Sequence, residues 1–295
     1  MLLSDFIHVA YVLSQQGKIM RFISSLFALF IALSATLATA QAAENNSFSG
    51  LSGSLNIAGG TAHIPVMKKA AKHIMQSNAD IRITIAGGGS GVGAQKVAKG
   101  LVDIGNTGRA LKPSEASQGL VTFPFAIDGV AVILNPENPV SALTKQQVAD
   151  IYSGKISNWQ TLGGEDRSIN LFSRDEASGT RAVFMKKMVN DSRIINSANV
   201  VASNGAMKTA IAHDPGAIGY SSIGYIDASV KAPSLDGVKP SNEACASGEY
   251  PVVRKLFMNT KGQPKGLTLQ FINFIYTAQG AKYIQESGYI PLAAQ

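Results

Sequence analysis

Two stretches of this chain, 88 residues apart, share one build, and they constrain its fold more than any other feature. Ile81, Ile83 and Ile85 alternate with Arg82 and Thr84, as a half-buried strand does, and run into Gly87-Gly88-Gly89-Ser90-Gly91-Val92-Gly93. A helix follows, with Ala94, Val97, Ala98 and Leu101 on one stripe. Ile169-Asn170-Leu171-Phe172 repeats the strand, and Ser173-Arg174-Asp175-Glu176-Ala177-Ser178-Gly179-Thr180-Arg181 repeats the loop. Residues 182–189 hold helix formers with no Gly or Pro. Strands that alternate with helices predict an α/β fold, with a mostly parallel sheet and right-handed crossovers.

Two shorter units fit the same scheme. Ser54-Leu55-Asn56-Ile57-Ala58 leads to Gly59-Gly60-Thr61-Ala62 and a helix with Pro65 in its first turn, its apolar face carrying Val66, Met67, Ala70, Ala71, Ile74 and Met75. Asn199-Val200-Val201-Ala202 leads to Ser203-Asn204-Gly205 and a helix over residues 206–212. Between the units, Val102-Asp103-Ile104-Gly105 is a strand ending at Asn106-Thr107-Gly108-Arg109. Residues 123–134 form an apolar extended run long enough to cross between two lobes, and residues 250–257 are extended again and can return the chain. Residues 143–151 read as helix, 227–250 as loop, and 267–285 as one C-terminal helix with Phe271, Phe274, Ile275 and Ala278 at core spacing.

Open α/β sheets bind ligands outside the carboxyl ends of their strands, where these loops fall. Ser178 stands at an N-cap position, so the free N–H groups of the first helical turn point into the loop. The hydroxyls of Ser178 and Thr180, the Gly179 backbone and the Arg174 guanidinium are equipment for a small oxyanion. The glycine loop formally matches a dinucleotide fingerprint, yet no acid sits some twenty residues on at a strand end, and no Gly-Lys-Ser or Gly-Lys-Thr makes it a P-loop. It reads as a second anion cradle, with Ser90 as cap and bare amides around Gly91. Arg109, at the end of a strand, is a further candidate. Asp128 interrupts an apolar run, where a charge is costly, and could accept a proton from a ligand.

Other chemistries find little support. Ser90 is not in a Gly-x-Ser-x-Gly elbow, because Val92 holds the last position. Among the histidines, His63 reads as a loop-edge side chain, His73 as solvated among lysines, and His213 as a helix-end residue. No His, Cys or carboxylate group has metal-ligand spacing, and no basic run with interleaved aromatics suggests nucleic acid. No cofactor is implied.

Met20-Arg21, an apolar core from Phe22 to Leu33 and the small residues to Ala42 read as a secretory signal. Residues 1–19 precede it as a misassigned extension, and no Cys near the cleavage site offers a lipid anchor. Removing residues 1–42 takes away Lys18, Arg21 and Asp5 and leaves 24 basic and 18 acidic residues, a net charge of +6. That charge favours small anions as partners. The single cysteine, Cys245, allows no internal disulfide, so the exported fold must stand on its core.

Taken in order, Ala58-Gly59-Gly60-Thr61, Gly88-Gly89-Ser90-Gly91-Val92-Gly93, Asp103-Ile104-Gly105, Asp128-Gly129-Val130-Ala131-Val132, Ile156-Ser157-Asn158-Trp159, Ser173 to Thr180 and Gly216-Ala217-Ile218-Gly219-Tyr220 give the chain a family likeness. It resembles the periplasmic phosphate-binding components of bacterial phosphate ABC transporters, in the shorter branch of the PstS family. The resemblance implies a two-lobed periplasmic binding protein fold of type II with a hinge between lobes. Lobe 1 would comprise residues 48–126 and 251–295, and lobe 2 residues 127–250. It also implies that Thr61, Ser90, Arg174, Ser178, Gly179 and Thr180 contact a dehydrated phosphate. The expected partners are inorganic phosphate and an inner-membrane permease, with a monomer free in the periplasm. Two departures stand out: Gly60 and Ala62 replace hydroxyls that relatives often carry, and Thr107-Gly108-Arg109 stands where longer relatives place an aspartate. The alternatives are another oxyanion such as sulfate or molybdate, an extracellular enzyme acting on phosphate esters, and a sensing or adhesive role.

Overall fold

The computed structural model describes residues 48–294, and the signal-peptide reading of residues 1–42 lies outside them. Strand β1 (Gly53–Gly59) turns through Thr61–His63 into helix α1 (Ile64–Ser77). Next come β2 (Ile81–Gly88), α2 (Gly89–Ala98), β3 (Ile104–Thr107) and the single turn α3 (Pro113–Ala116). The long β4 (Leu120–Leu134) is followed by β5 (Ala142–Leu143) and α4 (Lys145–Tyr152). The second set of units is β6 (Asn170–Arg174), α5 (Gly179–Lys187), β7 (Asn199–Val201), α6 (Asn204–Ala212) and β8 (Ala217–Ser222). The chain closes with β9 (Ser234–Leu235), α7 (Asn242–Ser247), β10 (Val253–Lys261), α8 (Gly266–Ile275), α9 (Ala278–Gln285) and β11 (Ile290–Pro291).

The main sheet runs β2-β1-β3-β10-β4-β8-β6-β7, with β11 also on β4. Its flanks are parallel, as strand–helix alternation predicts: β1 with β2 and β3, and β6 with β7 and β8. Its centre is antiparallel, because β10 returns between β3 and β4, and β4 continues onto β8. Along β4, residues 120–129 pair with β10 and residues 130–134 with β8, so one strand belongs to both halves.

Helix α1 buries Val66, Met67, Ala70, Ala71 and Ile74 on one face, as its spacing predicts. In the other half Phe184 stacks on Tyr220 with ring centroids 3.9 Å apart, and Tyr152 meets Phe184 edge-on at 4.8 Å. Trp159 is buried beside them in the same core, its indole N–H donating to Gly216 O at 2.9 Å. Cys245 is packed in this core too, where burial pushes its thiol up to about 11.

Several sequence expectations shift by local chemistry. The C-terminal helix is two helices, because Thr277 caps a new start and accepts the Gly280 N–H at 3.1 Å, leaving Ala278 exposed. Leu101 lies past the end of α2 and is exposed. Residues 227–250 contain β9 and α7, the latter capped by Ser241. His73 is half-buried rather than solvated, stacked on Phe274 and within 3.1 Å of the Tyr283 hydroxyl.

Helix α2 lies so close to β1 and β3 that a Cβ on Gly93 would come 2.5 Å from Asn106 O and 2.9 Å from Gly59 Cα. Backbone cannot yield as a flexible side chain would. We expect Gly93→Ala to lower stability by about 1–3 kcal/mol, read by urea denaturation. This contact holds the start of α2 against the end of β3, where the pocket forms.

Candidate functional site

Thr61, Ser90, Arg174, Ser178, Gly179 and Thr180 line one small buried pocket, together with Gly60, Ala62, His63, Gly89, Gly108 and Arg254. Ser178 is the N-cap of α5, and its Oγ accepts the Arg181 N–H at 3.1 Å. Ser90 does not cap its own helix. Gly88, at φ 118°, takes the N-cap position of α2, and Ser90 Oγ reaches across to accept the Gly108 N–H at 2.9 Å. Thr61 Oγ1 accepts from Asn204 Nδ2 at 3.0 Å. With a lone pair of each hydroxyl engaged by an N–H, the hydroxyl proton remains to be given. The starts of α2 and α5 add backbone N–H groups without intrahelical partners. A Cβ on Gly179 would collide with Ser90 Oγ, so glycine is what lets the two helix starts meet.

Arg174 is only 2% exposed. Its Nη2 donates to Ala202 O at 3.0 Å, while Nε and Nη1 have no protein partner. Burial pulls its pKa below the usual guanidinium value. A second arginine, Arg254, sits opposite Asp128 in the β10–β4 register. Its Nε donates to Asp128 Oδ2 at 2.8 Å, Nη2 lies 2.7 Å from the same oxygen, and Nη1 donates to Thr180 Oγ1 at 3.0 Å. Asp128 is fully buried and also accepts from Ser222 Oγ at 2.8 Å. Burial pushes its carboxyl up, and Arg254 and Ser222 act in the opposite sense. One carboxylate thus stands against two buried guanidinium groups, which leaves a net positive charge for an anion to balance.

Three candidates lie elsewhere. Gly91 is outside the lining, its N–H donating to Ala177 O at 2.9 Å. Arg109 faces Glu115, with both terminal nitrogens 2.7 Å from the carboxylate oxygens. Asp128 stands behind Arg254 and does not line the pocket.

Sequence reasoning missed Arg254 and His63. Arg254 shares a strand face with Leu256 and Met258, both fully buried, and that alternation was the available signal. His63 is fully buried, not at a loop edge, because the turn at Thr61–His63 carries it beneath the sheet strand β10. Its Nε2 contacts Phe257 O at 3.2 Å, and since a carbonyl only accepts, Nε2 carries the proton. Nδ1 has no protein partner. Burial first, and the Arg254 charge second, push His63 down to about 3. The unfolded chain takes up this proton near pH 6.5, so the folded chain binds fewer protons between pH 6.5 and 3. The stability this residue supports is therefore complete above pH 6.5 and lost toward pH 3, at about 1.4 kcal/mol per pH unit. We expect the loss of stability between pH 7 and 4.5, measured by urea denaturation, to be smaller in His63→Gln than in the parent.

The sequence matches the family model of the PBP superfamily domain over residues 38–279. It is 38% identical over 245 residues to the phosphate-binding protein PstS of Bacillus subtilis, covering 82% of this chain and 81% of that one. Its structure is similar to that of a phosphate ABC transporter substrate-binding protein with bound phosphate from Clostridium perfringens, with a TM-score of 0.78 and 33% identity over 81% of this chain and all of that one. An ABC-type phosphate transport receptor from Vibrio cholerae gives a TM-score of 0.65 and 34% identity over 80% of this chain and 99% of that one. The fold is the two-lobed, type II periplasmic binding protein fold, and the chain belongs to the PBP superfamily, within its family of PstS phosphate-binding proteins.

Proposed function

We propose that this protein binds inorganic phosphate with high affinity in the periplasm and delivers it to the permease of a phosphate ABC transporter. The observation that carries this reading is Arg174, a buried guanidinium whose Nε and Nη1 lack protein partners in a pocket edged by hydroxyls with protons to give. Micromolar binding needs about −8 kcal/mol. Hydrogen bonds to a charged group contribute roughly 1.5–3 kcal/mol each, so six to eight of them suffice after desolvation. The names of the relatives support phosphate as the anion and transport as the role.

In this reading the protein is a monomeric carrier, without a membrane anchor, and not an enzyme. Among the described residues no helix is long and apolar enough to cross a membrane. Residues 48–126 with 251–295 form one lobe and residues 127–250 the other, and the lobes hinge about β4 and β10. The change of partner along β4, from β10 up to Gly129 to β8 from Val130, supports that boundary. Contacts that meet across it, such as Asn204 Nδ2 to Thr61 Oγ1 and Gly91 N–H to Ala177 O, would be those made on closure.

Anions released by heat from the protein as purified, identified by ion chromatography, test the ligand. About one phosphate per chain is expected, and adding phosphate back to refolded protein should raise its melting temperature. Protein that releases no phosphate, and whose melting temperature phosphate does not move, would contradict the assignment.

A further inference from the structure

Resting on the phosphate reading, we infer that His63 Nδ1 accepts the proton of a protonated phosphate oxygen, and so sets the preference for phosphate over tetrahedral anions that carry no proton. Among residues lining the pocket, the buried polar atoms without a hydrogen-bond partner are three donors, Arg174 Nε and Nη1 and Arg254 Nη2, the last meeting Asp128 only as an ion pair, and one acceptor, His63 Nδ1. Phe257 O holds the ring in the Nε2–H tautomer, so Nδ1 presents a lone pair. The Nδ1 edge faces the bare Cα of Gly60, which itself borders the pocket, and a Cβ there would come 2.6 Å from Nδ1. Glycine is therefore needed to keep this edge clear.

Asp128 is poorly placed for the same task. One of its oxygens is taken by Arg254 and the other by Ser222, and it does not line the pocket. It serves as the counterion that holds Arg254. Burial beside Arg254 keeps His63 neutral far below neutral pH, so the acceptor is present at neutral and mildly acidic pH, where the ligand bears a proton. A hydrogen phosphate oxygen would donate to Nδ1. An unprotonated oxygen in the same place sets lone pair against lone pair and leaves a buried acceptor unmet. Sites built to meet a ligand proton reject analogues that lack it, because a buried polar group is then left unpaired.

The test is nitrogen NMR on protein labelled with 15N-histidine, together with calorimetry of His63→Leu and His63→Asn against phosphate and sulfate. Saturating phosphate should move the unprotonated Nδ1 resonance of His63 upfield, as accepting a hydrogen bond does. His63→Leu should lower the ratio of phosphate to sulfate affinity at least tenfold. His63→Asn, whose side-chain oxygen can stand near the Nδ1 position, should restore part of that ratio. A purely packing role would weaken both anions alike and leave the ratio unchanged. If the variants do not fold, the NMR titration of the parent still decides. Phosphate binding with no movement at Nδ1, or an unchanged ratio in His63→Leu, would overturn this inference alone. Absence of phosphate binding to the folded parent would overturn the phosphate reading and this inference with it.

Discussion

Arg174→Ala is expected to raise the Kd for phosphate by about two to four orders of magnitude without lowering the stability of the phosphate-free protein. The affinity loss follows from two charge-assisted hydrogen bonds, Nε and Nη1, at roughly 1.5–3 kcal/mol each. The stability expectation has the opposite origin. Arg174 is buried with one of its side-chain nitrogens bonded to protein, at Ala202 O, so in the absence of an anion its charge is poorly compensated. Removing it relieves that cost and leaves a cavity, and the two effects offset. Calorimetric titration and urea denaturation in phosphate-free buffer read the two parts separately. A variant that keeps its affinity would place the anion elsewhere. One that binds weakly only because it is unfolded would show the arginine to be structural.

Asp128→Ala is expected to cost about 3–5 kcal/mol of stability, because it leaves Arg254 as an uncompensated charge only 6% exposed. The loss should also reach the pocket. Arg254 donates to Thr180 Oγ1, so a guanidinium released from Asp128 no longer holds that hydroxyl in place. Replacing the pair together, Asp128→Leu with Arg254→Met, should recover most of the stability and little of the phosphate affinity. A double-mutant cycle on denaturation free energies checks this. If the two single losses simply add in the double variant, the ion pair is not the unit described here.

What could be read from the sequence depended on distance along the chain. Ser178 as an N-cap was legible because capping is local: the donor, Arg181 N–H, lies three residues on. The same reasoning placed Ser90 in an anion loop but gave it the wrong partner, since Gly108 is eighteen residues away and is brought near by the packing of α2 on β3. The Arg254–Asp128 pair spans 126 residues and exists through the antiparallel register of β10 on β4. Strand–helix alternation does not encode that register, and it predicts a mostly parallel sheet. Arg109 shows the reverse limit. A strand-end arginine suggests a ligand contact, but Glu115 at the start of the following turn claims both of its terminal nitrogens.

Calorimetric titration of the protein, stripped of bound ligand by unfolding and refolding, against phosphate and then sulfate reads the identity of the bound anion. Phosphate should bind 1:1 with a Kd of about micromolar or below, and sulfate at least tenfold more weakly. A folded protein that gives no heat with phosphate, or that binds sulfate more tightly, would contradict it.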